Sequence, residues 1–210
     1  MHYINPHAVC QVDTDLVFVL DESGSIGNAS FQEVKTFVRD FVHQLTSQSQ
    51  SGDMIMNRVG IIPFSSSARE YIALNSSIVG NELLTQIAEL RYNGGGTNTA
   101  HGLELMREQA WRDEISILRL AIVLTDGQSN DRPATLLAAQ AVHDYDPPIT
   151  VYAIGVGDNV DEAELETIAS EHELYSHLDA FDPSLFDSTR ESYSYQICFT
   201  SEQCIQLSSN

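Results

Sequence analysis

Three stretches of this chain, Leu16–Leu20, Leu118–Leu124 and Ile149–Ile154, are close to unbroken apolar runs. A strand with one wet face alternates apolar and polar residues. A strand apolar on both sides must be covered on both faces, as in a parallel sheet sandwiched by helices. Helical spacing fills the intervals. Phe31, Val34, Phe37, Val38, Phe41, Val42 and Leu45 recur at three and four residues over 28–45. Shorter helices are expected through Leu83, Leu84, Ile87 and Leu90, from Thr97 through Leu103, Met106 and Trp111, over 134–143 and 161–169, and within Pro183–Tyr193. Arg58–Phe64 and Ala68–Leu74 read as two strands of a hairpin joined at Ser65-Ser66-Ser67, and a short strand is expected near Leu174–His177. Strands alternating with helices predict an α/β, doubly wound sheet. The 210 residues suit one large domain. It is expected over 15–195, with a polar lead-in at 1–14 and a tail at 196–210 that leads toward a next module.

Charge narrows the partners. Thirty acidic residues against ten basic ones give a formal charge of -20. Nucleic acid and anionic membrane both require a basic footprint, so neither is expected. Cations and basic surfaces are favoured, and the acidity also serves solubility. No apolar run approaches the ~20 residues needed to span a bilayer, so direct membrane insertion is not expected. Met1–Pro6 lacks the apolar core of a leader, so the chain reads as a module excised from a longer one. Cys10, Cys198 and Cys204 lie near the two ends. That placement suits a disulfide tying the termini, Cys10–Cys198 or else Cys10–Cys204, in an oxidising compartment. Asn28-Ala29-Ser30 and Asn75-Ser76-Ser77 are glycosylation sequons, which agrees with a secreted glycoprotein.

Chemistry gathers where strands end. Asp21-Glu22-Ser23-Gly24-Ser25 follows the first strand, Gly95-Gly96-Thr97-Asn98-Thr99 opens a helix, and Thr125-Asp126-Gly127 follows another strand. Open α/β sheets bind ligands at the carboxyl ends of their strands, so all three segments are expected at one pole. Two aspartates with hydroxyls of Ser23, Ser25 and Thr97 form a hard oxygen set that suits Mg2+, Mn2+ or Ca2+. Hydroxyls are weak neutral donors, so such an ion stays electrophilic and wants an outside acidic group. Other readings carry less. Asp21 and Ser25 are also good helix caps. Gly94-Gly95-Gly96 lacks the companions of a phosphate loop. Ser23 lacks a nucleophile elbow. His101 reads as a half-buried structural histidine.

The three segments together resemble the von Willebrand factor A domain family, which includes the inserted domains of integrin α chains. Its metal-ion-dependent adhesion site uses Asp-x-Ser-x-Ser, a later Thr and a later Asp. Asp21, Ser23 and Ser25 match the first element, Thr97 the second and Asp126 the third. The resemblance covers residues 13–195. It implies a Rossmann-like sheet of six strands, five parallel and one antiparallel at the edge, wrapped by helices. It implies a cation whose open position is filled by Asp or Glu of a matrix or cell-surface protein, in a multi-domain extracellular or secreted chain. It also implies a last helix, here Pro183–Tyr193, that shifts with ligand affinity in many relatives. Glu22 fills a variable slot beside the metal, where its charge is expected to repel acidic ligands or shift ion preference. The connections 127–133 and 155–161 are too short for the extra helix of collagen-binding integrin domains, so collagen binding by that route is not expected. An adhesion module is the function expected, and an enzyme is not. The alternatives are a matrix-assembly module with an incidental metal and a metal-dependent hydrolase, for which no general base beyond the aspartates is visible.

Overall fold

Residues 14–21 and 118–125 are buried along their whole length, and they form two adjacent inner strands of a parallel sheet. A computed structural model describes residues 13–47, 57–114, 116–158, 160–171 and 174–177. Strands β1 (Thr14–Asp21), β2 (Arg58–Phe64), β3 (Leu118–Thr125), β4 (Thr150–Gly155) and β5 (Tyr175–His177) lie in the order β2-β1-β3-β4-β5. Every neighbouring pair is parallel. Helices α1 (Gly27–Ser47), α2 (Gly80–Glu89), α3 (Thr99–Arg107), α4 (Arg132–His143) and α5 (Glu162–Ile168) cover the faces.

Alternation explains why the strands are apolar on both sides. Leu16, Phe18, Leu20, Leu120, Ile122 and Leu124 point to one core, shared with Phe31, Val34, Val38 and Phe41 of α1 and Leu83 and Ile87 of α2. Val17, Val19, Ala121, Val123, Val151 and Ala153 point to the other, shared with Leu103 and Met106 of α3, Ala139 and Val142 of α4, and Leu165 and Ile168 of α5. Full burial of one such large side chain stabilises by about 1.5–3 kcal/mol. Phe18 and Phe41 meet edge to face with centroids 5.8 Å apart, which fixes α1 across β1.

The expected antiparallel sixth strand at 68–74 is not a strand among the described residues. It touches β2 through two isolated antiparallel bridges, Ile61 with Ile72 and Phe64 with Ala68. One residue more separates Ala68 from Ile72 than separates Ile61 from Phe64, so the ladder has to bulge. Pro63 lies between the bridges. Its carbonyl accepts from the Arg69 N–H at 3.1 Å, but it has no N–H to return.

The amino-terminal pole of the sheet is clamped by ions. Asp15 is fully buried and accepts from Arg58 (Nε 2.8 Å, Nη2 2.5 Å) and Arg112 (backbone N 2.9 Å, Nε 2.8 Å). Burial works to raise its pKa, but the bonds from Arg58 and Arg112 outweigh it and hold the carboxyl below the ordinary value. Arg119, equally buried on β3, donates to the carbonyls of Arg112, Glu114 (3.1 Å) and Ile117 (3.4 Å). The segment that leads into β3 is thereby fastened to the sheet.

Chain order reverses around β1, which has β2 on one side and β3 on the other. Asp21 ends β1 and Asp126 follows β3 directly. Both aspartates therefore stand at the carboxyl ends of the two strands that flank the switch point, where this class of sheet opens a crevice.

Candidate metal centre

The three expected segments are tied to one another pairwise. The N–H of Gly24 donates to the carbonyl of Gly95 at 2.9 Å, joining the first to the second. Thr97 donates its N–H to Asn130 Oδ1 at 2.7 Å, and its carbonyl accepts from the Asn130 N–H at 2.9 Å, joining the second to the third. Thr125 Oγ1 donates to Asp21 Oδ2 at 2.7 Å, joining the third to the first. The loops holding Asp21, Ser23, Ser25, Thr97 and Asp126 are thus closed into a ring.

Within the ring the donors are preset. Asp21 Oδ1 accepts from the Ser23 N–H at 2.8 Å. Ser23 Oγ and Ser25 Oγ lie 3.0 Å apart. Asp21, Ser23, Thr97 and Asp126 are buried, while Ser25 is exposed at the rim. Asp126 Oδ1 accepts from the Gln128 N–H at 3.1 Å. The capping alternative fails, because neither the Asp21 nor the Ser25 side chain accepts from the first turn of α1.

Glycines let the loops close. A Cβ on Gly24 would lie 3.3 Å from the Gly95 carbonyl, and one on Gly96 would lie 2.7 Å from Asn130 Oδ1. Gly95 sits at φ +113°, a conformation that side chains disfavour. The Gly96 N–H is held by Ser66 Oγ at 2.9 Å.

Electrostatics favour a cation here. Burial pushes the Asp21 carboxyl up to about 6, the bonds from Ser23 and Thr125 pull the other way, and the nearby Asp126 charge adds to the rise. Among the described residues no Arg, Lys or His pairs with either Asp21 or Asp126. Two buried carboxylates without a cationic partner, beside three hydroxyls, fit a hard divalent ion. No cluster of three or more His, Cys, Asp or Glu arranged for a metal occurs among the described residues, so an ion held here relies on hydroxyls.

Glu22 corrects an expectation. Strand alternation turns it away from Asp21 and Ser23. It is fully buried, pairs with both Nη1 and Nη2 of Arg69 (Nη2 at 3.0 Å) and accepts from Asn93 Nδ2 at 3.1 Å. Its charge is spent on Arg69 and does not face an incoming ligand. His101 is the structural histidine expected, its Nδ1 accepting the Ala68 N–H at 3.0 Å. Asn28 and Asn75 are exposed. Cys10, Cys198, Cys204 and the helix expected within Pro183–Tyr193 lie outside the described residues.

Four residues outside the expected set hold the donors. Thr125 fixes Asp21, and Asn130 fixes Thr97. Tyr92 donates its hydroxyl to the Ser23 carbonyl at 3.0 Å while its ring packs on Phe31, centroids 5.7 Å apart. Glu164, buried on α5, accepts from Ser129 N (3.3 Å) and Oγ (2.7 Å) and pairs with Arg132 at 3.4 Å. Burial raises its pKa against the bonds from Ser129 and the charge of Arg132. The Asp126 loop is therefore gripped from two sides. Thr125 lies in the expected Thr125-Asp126-Gly127 segment and Asn130 in the run of turn formers Asp126-Gly127-Gln128-Ser129-Asn130, while nothing local marks Tyr92 or Glu164.

The family model of the von Willebrand factor type A domain matches residues 15–191. The chain is 35% identical over 191 residues to the transmembrane cell adhesion receptor mua-3 of Caenorhabditis elegans, covering 84% of this chain and 5% of that protein. It is 33% identical over 173 residues to the collagen alpha-5(VI) chain of Mus musculus, covering 80% and 6%. It is 31% identical over 164 residues to matrilin-2 of Mus musculus, covering 75% and 16%. The chain thus spans a small part of the length of these relatives. Among solved structures it is similar in fold to proximal thread matrix protein 1 from the mussel byssus with a zinc-occupied MIDAS motif. That likeness has a TM-score of 0.71 at 24% identity and covers 89% of this chain and 47% of that one.

Proposed function

Because the chain belongs to the von Willebrand factor type A domain family, we propose that it is an adhesion module that recognises an acidic side chain of a protein ligand through a divalent cation. Asp21, Ser23, Ser25, Thr97 and Asp126 would hold the ion. The observation that carries this reading is the closed ring of loop contacts, which presets two buried carboxylates with no cationic partner among the described residues. Mg2+, Mn2+ or Ca2+ bound there supplies a Lewis-acid position to which a ligand carboxylate can add.

The chain's own residues do the rest. Asp21 and Asp126 supply the negative charge that retains the ion. Ser23, Ser25 and Thr97 supply oxygens without further charge, so the ion's attraction for an outside carboxylate is not cancelled. Ser25, exposed at the rim, marks the side from which a ligand arrives. Glu22, neutralised by Arg69, adds no repulsion there.

The relatives are matrix proteins and a cell adhesion receptor, and the domain's address is extracellular. No described helix is long and apolar enough to cross a membrane. The partner would be a matrix or cell-surface protein, and the domain one part of a longer chain. Capture of matrix proteins on the immobilised domain tests the reading. Capture should need a divalent cation, stop on chelation with EDTA and stop in Asp126→Ala. Capture indifferent to both treatments would refute it.

A further inference from the structure

Asn130 stands in the Asp126 loop, yet its strongest contacts are to a different loop. Its side-chain oxygen takes the Thr97 N–H at 2.7 Å, and its own N–H returns a bond to the Thr97 carbonyl at 2.9 Å. This two-point clasp joins residues 33 positions apart. Helix caps flank it on both sides. Asp131 caps α4 through the Ala134 N–H at 3.0 Å. Asn98 caps α3 through the His101 N–H at 3.1 Å, and its own N–H is held by the Ser65 carbonyl at 2.7 Å. The clasp therefore bolts the start of α4 to the start of α3. Gly96 has the same cause, since a Cβ there would lie 2.7 Å from Asn130 Oδ1.

We propose that Asn130 is a positioning residue that locks the Thr97 donor to the Asp126 donor, so that the two present one preset pair to the cation. The inference rests on the cation reading above. Neither Thr97 nor Asp126 sits on a strand or helix of its own. Other bonds fasten each loop to its own surroundings, Asp126 through its carbonyl and the Asp161 N–H at 2.8 Å and the Thr97 segment through Ser65 and Ser66, while the clasp ties the two loops directly to each other. Residues that orient metal donors from behind commonly change affinity by about 10–100-fold when removed.

The test uses the whole chain and Mn2+ alone as probe. Free Mn2+ is measured by electron paramagnetic resonance, and amide exchange at Thr97 is followed by NMR in cation-free protein. Asn130→Ala is expected to bind Mn2+ at least about tenfold more weakly and to exchange the Thr97 amide at least about tenfold faster, with an unchanged cation-free melting temperature. Asn130→Asp keeps an acceptor oxygen and is expected to restore protection at Thr97. Gly96→Ala is expected to weaken Mn2+ binding in the native background but to add little in the Asn130→Ala background, because both changes act on one contact. If the native chain does not bind Mn2+, the cation reading falls and the inference with it. If the native chain binds and Asn130→Ala binds equally well, the inference alone is overturned. Strictly additive effects of Gly96→Ala and Asn130→Ala would also overturn it.

Discussion

Asp21 concentrates the electrostatic problem at the residue scale. It is buried, its two oxygens take Ser23 and Thr125, and no cationic side chain among the described residues answers its charge. Its carboxyl stands at about 6 against an ordinary value of 3.8. In cation-free protein, a raised carboxyl stabilises the fold below pH 3.8, and that contribution is lost as the pH rises through 6. Cation binding runs the other way, because the ion competes with the proton. Calorimetric titration with Mg2+ should show affinity rising about tenfold per pH unit up to about pH 6 and levelling above it. A flat profile between pH 5 and pH 7 would contradict a raised Asp21 carboxyl. The same residue illustrates what is legible locally. Asp21, Ser23 and Ser25 lie in one short segment, so their spacing alone suggests a donor set. Glu22 shows the limit of local reading. Its neutraliser, Arg69, is 47 positions away, and nothing in the segment itself announces the pairing.

At the scale of elements, the two poles of the sheet are built differently. The carboxyl pole leaves Asp21 and Asp126 without a cationic side chain among the described residues, while the amino pole pairs Asp15 with Arg58 and Arg112. Removing one member of a buried ion pair typically costs about 3–5 kcal/mol. Arg58 and Arg112 keep some exposure, so Asn in place of Asp15 should cost about 3 kcal/mol at neutral pH. Urea denaturation checks this, and cation affinity should not move. The Asp15 carboxyl is held below 3.8, so its contribution is present above that pH and is lost as the pH falls through the depressed value. The gap between native and variant chains should therefore close in acid. The strands themselves were legible because β1, β3 and β4 are apolar on both faces, and that pattern is local. The 68–74 segment was not, since its alternation suits a strand while Pro63 and one surplus residue break the ladder. Asn130 and Glu164 were hidden for a similar reason. Their roles arise from contacts across 33 and 35 positions that only the sheet order creates.

At the scale of the molecule, a chain of charge -20 carries the proposed cation site at one end of its sheet and an ion clamp at the other. The clamp fastens the strands at one pole, and the ring of loops brings the five proposed oxygen donors together at the other. The long-range field of so acidic a chain attracts cations and repels acidic partners at low salt. On the proposed reading a ligand carboxylate would therefore be drawn by the ion at short range. The central claim is an ion held with a coordination position still open. Water-proton relaxation with Mn2+ measures both parts, because the signal needs bound Mn2+ and water that exchanges on it. The expected result is one saturable site per chain with strong enhancement. A soluble carboxylate such as glutamate should diminish it, and the paired changes Ser23→Ala and Ser25→Ala should abolish it. Absence of saturable binding, or enhancement that survives loss of both serines, would contradict the claim.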